Sequence, residues 1–254
     1  MIEQLLVIAA ISFLTSIVSG TLGIGGAVLL IPMYLYVPPL FGVELTVAEI
    51  TGMTSVQVFF AAAMSAFTHH KKGGFNKRLA LLIGVPMVSA ALIGAIFSKS
   101  VSGDTLTTIF GLMAAAGGAL LLLQRKYEEP TEFTVHPGKS VLIGTSVGFF
   151  GGMVGAPGGF LVQPLLMIFM RIPTRITIGT TLGVVMLSAL SAGIGKAITG
   201  QVPYVISIAA AVAAIPGAKI GSELSHKLHV KQLKLLLGLL ILGVGLQMIL
   251  RGIL

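Results

Sequence analysis

In so apolar a chain, chemistry must come from the few groups able to hydrogen-bond, and the most concentrated of these are backbone amides bared by glycine. The stretch GTLGIGGAVLLIP, residues 20 to 32, has glycine at four of its thirteen positions. A second stretch, GMVGAPGGFLVQP at 152 to 164, aligns with it without a gap and matches Gly20 with Gly152, Gly23 with Gly155, Gly26 with Gly158, Leu29 with Leu161 and Pro32 with Pro164. Glycine removes the side chains that hold two segments apart and opens backbone angles closed to other residues. Pro157, standing where the first copy has Gly25, removes a backbone donor and stops a helix. A helix that restarts after such a break points free N–H groups and the positive end of its dipole into the gap, which favours an anion. The candidate substrate-binding residues are therefore Gly23, Gly25 and Gly26 in the first copy and Gly155, Pro157, Gly158 and Gly159 in the second.

Hydroxyls form a second duplicated cluster. Thr51, Gly52, Thr54 and Ser55 in TGMTS correspond to Gly179, Thr180 and Thr181 in IGTTL. At the start of a helix such groups cap amides or hydrogen-bond an oxyanion. Gln57 and Gln163 are uncharged polar residues within apolar runs, where such groups face the protein interior and join helices or a ligand.

These groups need elements that carry them through a lipid bilayer. Of 254 residues 55% are hydrophobic and only 9% charged, and the mean hydropathy is +1.02, outside the soluble range. Several apolar runs reach the roughly 17 to 25 residues a spanning helix needs, so the expected fold class is an all-α polytopic membrane protein. Each half reads as one broken segment, at 4 to 37 and 140 to 170, followed by three plain spans. These lie at 50 to 68, 79 to 98 and 104 to 124, then at 177 to 197, 204 to 224 and 232 to 251. The pairing of GVP ending at Pro86 with AIP ending at Pro216, and of Gly111 and Gly118 with Gly238 and Gly245, extends the duplication over about 120 residues. The units are a first membrane repeat at 1–124, a cytoplasmic linker at 125–139 and a second membrane repeat at 140–254. The N-terminus lacks the basic start of a signal peptide and is read as part of the fold.

The broken segment decides topology: a re-entrant hairpin gives inverted repeats, a single crossing parallel ones. With inverted repeats, twelve Lys and Arg fall on the linker side against Lys99, Lys196 and Arg251 on the other. Parallel repeats give nine against six. The positive-inside rule favours inversion, with both termini outside, and it accounts for the net charge of +8 without nucleic acid. Lys219, inside a span but near its end, is expected to snorkel.

Other functions fit poorly. GTSVG at 144 to 148 matches a nucleophile elbow in letters only, because it lies in an apolar helix with no partner base. His69 and His70 lack carboxylates at metal-ligand spacing. The eight acids, Glu3, Glu44, Glu49, Asp104, Glu128, Glu129, Glu132 and Glu223, fall in loops or near span ends, against a carboxylate-lined cation path. Proton coupling is left without an evident carrier unless Glu49 reaches inward or the anion brings the proton. No cysteine is present.

At the duplicated glycine and hydroxyl elements the sequence resembles the TauE/SafE family of membrane permeases, over nearly its whole length. The resemblance implies transport, not catalysis, of a small sulfur-containing anion such as sulfite or an organosulfonate such as sulfoacetate, across the bacterial cytoplasmic membrane, with no cofactor. From the glycine breaks the anion is expected near the midplane, moved by alternating access. A passive channel, or a permease for another small anion, stays open as the alternative. The expected partners are the anion and membrane lipid, with homodimerisation left open.

Overall fold

The computed structural model describes residues 2–22, 27–70, 75–123, 130, 132–224 and 230–253. Gly23, Gly25 and Gly26, and the basic residues of the linker's start, lie outside them. The described elements are helical throughout: α1 (Ile2–Leu22), α2 (Ala27–Tyr36), α3 (Val47–His70), α4 (Lys77–Phe97), α5 (Gly103–Leu123), α6 (Pro137–Met153), α7 (Gly159–Met170), α8 (Thr174–Ile198), α9 (Tyr204–Leu224) and α10 (Val230–Ile253). Six of these, α1, α3, α4, α5, α8 and α9, are long and apolar enough to cross a membrane. The chain is thus a polytopic all-α protein. In the second half α6 ends and the short α7 follows, as the glycine cluster there leads one to expect; the first cluster, between α1 and the short α2, lies outside the described residues.

Local sequence sets the ends. Thr46 and Glu49 form a capping box at α3, with the Thr46 N–H donating to Glu49 Oε2 at 2.9 Å and the Glu49 N–H to Thr46 Oγ1 at 3.3 Å. Glu49 is therefore occupied at the helix start and does not reach inward. Asn76 caps α4 by accepting from the Leu79 N–H. Pro137 opens α6 at a position where no intrahelical N–H bond is lost.

Glycine sets the packing. Side-chain-free positions let helix backbones approach to where a Cβ would collide: Gly144, Gly148 and Gly152 of α6 lie against the carbonyls of Ile83, Met87 and Ala91 of α4, and Gly217 and Gly221 of α9 against those of Phe13 and Ile17 of α1. The elbow-like GTSVG is thus a packing face, with its Ser146 exposed. Outward positions such as Leu81, Val85, Ile93 and Val212 expose large apolar side chains, the surface a lipid-embedded bundle needs. Lys219 is exposed.

The contact pattern maps onto itself when α1 to α5 are exchanged with α6 to α10. The neighbours α1 and α9 correspond to α6 and α4, and α3 and α9 to α8 and α4; α3 with α8 and α5 with α10 pair across the halves. Single contacts obey the same exchange: Gly221 meets the Ile17 carbonyl as Gly94 meets that of Phe149, and Gly111 meets Gly245 as Gly118 meets Gly238. This register pairs Gly94 with Gly221, so Pro86 and Pro216, matched by letters, stand about one helical turn apart in it. In direction, α1 and α9 run parallel, as do α4 and α6, whereas α5 and α10 are antiparallel, because residues 111 and 118 meet 245 and 238 in reversed order.

Candidate functional site

The second glycine cluster is fully described. After Met153 the chain leaves α6, turns through residues 154 to 158 and restarts as α7 at Gly159. Gly155 and Gly158 have φ of +67° and +58°, in the left-handed region that costs other L-residues roughly 1–2 kcal/mol. Space closes the same positions: a Cβ at Gly155 would fall on the Thr51 carbonyl, and one at Gly158 on the Val147 side chain. The turn and the residues flanking it, 151 to 164, are all buried.

Two of the expected clusters are thereby brought together, for the turn at Gly155 rests on Thr51 and Ser55 of α3. Gly52 beside them packs on the Gln201 carbonyl. The contact lies at the second turn of α3 and, through Met153, beside the last turns of α4 and α8, so this break sits toward one end of the bundle rather than halfway along it. The hydroxyls are not caps: Thr51, Thr54 and Ser55 donate to Ala48, Ile50 and Thr51 carbonyls of their own helix. Thr180 accepts the Asn76 N–H at 3.1 Å and so joins the halves. Gly179 is half-buried.

The Gly159 and Phe160 N–H groups at the start of α7 have no carbonyl partner within the helix and no side chain caps them, while the Leu161 and Val162 N–H groups both donate to Gly158 O at 2.8 Å. One turn further in, Gln163 is fully buried, and neither its Oε1 nor its Nε2 has a partner. The Thr181 and Ser188 hydroxyls of α8, which packs on α7, are likewise buried and unpartnered. Such groups cost about 1–3 kcal/mol each when left unmade, so in a native fold each calls for a reason, such as strain, a chemical role, or an ordered water or ion. Gln57 behaves differently. The Tyr34 hydroxyl of α2 donates to its Oε1 and also contacts Ser12 Oγ of α1, so these three residues tie α1 and α2 to α3.

The residue whose role the sequence reading missed is Lys196. Counted there only among the charges on the side opposite the linker, it is wholly buried in the last turn of α8. Its Nζ, with three protons to share, lies within hydrogen-bond distance of four acceptors, Thr51 Oγ1 at 2.9 Å, Ser98 Oγ at 2.7 Å, Met153 O at 2.8 Å and Gln201 Oε1 at 3.0 Å. A lysine near a span end reads as snorkelling outward. This one runs inward because the α4 end, the α6 end and the 199–203 loop supply oxygens there. The available signal was Lys196 inside the apolar run with Thr199 and Gln201 just beyond.

A bundle whose described helices include six long and apolar enough to cross a membrane is that of a multi-pass membrane protein. The Sulfite exporter TauE/SafE family model matches residues 8–248, and the chain belongs to that family. Relatives along its full length carry transporter names. A probable membrane transporter protein of Xylella fastidiosa is 28% identical over 99% of this chain and 97% of its own. YunE of Bacillus subtilis, also a probable membrane transporter protein, is 21% identical over 97% and 98%. MJ0441 of Methanocaldococcus jannaschii, of the same description, is 24% identical over 94% and 93%. No solved structure matches the chain.

Proposed function

We propose that this protein carries a small sulfur-containing oxyanion, sulfite or an organosulfonate such as sulfoacetate, across the cytoplasmic membrane by alternating access. The sulfur chemistry rests on the family, whose model is named for sulfite export. The anion preference rests on the α7 start: uncapped amides and a positive dipole end at a buried turn, with Gln163 one turn inside. The carrying observation is Gln163, whose amide is wholly buried without a partner and can donate to an anion's oxygen through Nε2.

In this reading the halves are inverted repeats, related by an axis in the membrane plane. The reversed order of contacts between α5 and α10 supports it, as do Ser55 beside Gly193 and Thr51 beside Lys196 across α3 and α8. Both termini then lie on the outer side, with the linker inside. Exchange of conformation between such halves opens the site to one side and then the other.

The test is a reversible crosslink between halves. A Cβ at Gly193 would lie 3.9 Å from Ser55 Cβ, within the span a disulfide requires, and the chain has no cysteine to compete. In proteoliposomes, the Ser55→Cys/Gly193→Cys pair is expected to lose sulfoacetate flux on oxidation and regain it with a phosphine reductant, with both single variants active. Sulfoacetate is the substrate because sulfite cleaves disulfides. Undiminished flux in the oxidised pair would exclude rocking of the halves and point to a channel.

A further inference from the structure

Lys196 is surrounded by acceptors alone. The Thr51 hydroxyl spends its proton on Ala48 O at 2.9 Å and the Ser98 hydroxyl on Ala95 O at 2.6 Å, while Gln201 sends its Nε2 to Thr199 Oγ1 at 2.7 Å. Each therefore turns a lone pair toward Nζ, and the Met153 carbonyl adds another. Helices α4, α6 and α8 all end here, at Phe97, Met153 and Ile198, so three negative dipole ends surround one point. No described Asp or Glu is buried. Four neutral oxygens and three helix ends suit one positive charge and are too few in charge for a divalent ion, which takes carboxylates.

We propose that Thr51 Oγ1, Ser98 Oγ, Met153 O and Gln201 Oε1 form a monovalent-cation site, and that Lys196 is its built-in occupant in place of a diffusible Na⁺ or K⁺. Burying an ammonium costs several kcal/mol unless the site is made for it, and an apolar residue would tie these helices at less cost. The site joins both halves, with Thr51 and Ser98 from the first and Met153, Lys196 and Gln201 from the second. It also touches the glycine turn, since Thr51 supports Gly155. The duplication does not repeat it, because Ile178 stands where Thr51 does. If the protein is a carrier as proposed above, the consequence is a cycle that needs no external metal cation at this end. The site itself is testable without any transport substrate.

The experiment compares wild type, Lys196→Ala and Lys196→Met, each as the full chain purified in detergent, in NaCl, KCl or N-methylglucamine chloride at equal ionic strength. Wild type is expected to unfold at the same temperature in all three. Lys196→Ala vacates the site and is expected to be stabilised, saturably, by Na⁺ or K⁺, and ²²Na⁺ should bind to it at least tenfold more tightly than to wild type. Lys196→Met fills the space with apolar atoms and should show no cation response. Three results would overturn the proposal: Lys196→Ala stable without cation dependence, wild type responding to Na⁺ as Lys196→Ala does, or Lys196→Ala unrecoverable in every salt, since a free cation then cannot stand in for the ammonium. None of these bears on sulfur-anion transport, which stands or falls separately.

Discussion

Replacing Gly155 with alanine separates two demands that the turn makes on one residue. The first is conformational: φ of +67° in the left-handed region costs an L-residue roughly 1–2 kcal/mol. The second is steric, because the new Cβ would fall on the Thr51 carbonyl, and overpacking of a tight site typically costs about 1–3 kcal/mol. The sum is about 2–5 kcal/mol, taken from a contact that also positions Thr51 toward Lys196. Gly42 provides the internal control: its φ is +70° and nothing lies within 4 Å of a Cβ built there, so Gly42→Ala bears only the conformational part, roughly 1–2 kcal/mol. Equilibrium unfolding in mixed micelles, with SDS as denaturant, should rank wild type above Gly42→Ala and Gly42→Ala above Gly155→Ala. Equal stability of the two variants would mean that the turn is not packed on α3 and would remove the contact between the glycine and hydroxyl clusters.

Two further substitutions probe the polar interior. Gln163→Leu, close in volume, removes a buried amide with no partner, so we expect unchanged or higher thermal stability with at least tenfold slower substrate flux; lowered stability with normal flux would contradict its ligand role. Tyr34→Phe deletes the hydroxyl joining Ser12 and Gln57 and leaves Gln57 under-satisfied, at a cost of about 1–3 kcal/mol measurable by the same SDS titration.

The helices and their breaks were legible because bilayer physics leaves few options. A run such as 204 to 224 must be helical to satisfy its amides in lipid, and the observed α9 covers the same residues, Tyr204–Leu224. The duplicated glycines were legible for a related reason: Gly155 and Gly158 occupy angles and spaces that no other residue fills well. Register was less so. Pro86 and Pro216 align as letters, but proline in a helix is tolerated over a range of positions, whereas Gly94 and Gly221 are fixed by the carbonyls they face. The inward course of Lys196 was not legible at all. Its direction depends on Thr51, Ser98 and Met153, from 43 to 145 residues away, and a side chain near a span end has no periodicity to betray which way it turns. Whether Glu49 reaches inward was open in the sequence, and its pairing with Thr46 at the start of α3 answers it.

The central claim, that this protein is a carrier for small sulfur-containing anions, is tested most directly by counterflow. Proteoliposomes are preloaded with sulfite, sulfoacetate, thiosulfate, sulfate or chloride, diluted into labelled sulfite and followed over time. A carrier predicts transient accumulation of label above equilibrium when the internal anion is itself a substrate, with sulfite or sulfoacetate the most effective. Simple equilibration whatever the internal anion would show a channel, and uptake no greater than that of protein-free liposomes would contradict the assignment of sulfite as substrate.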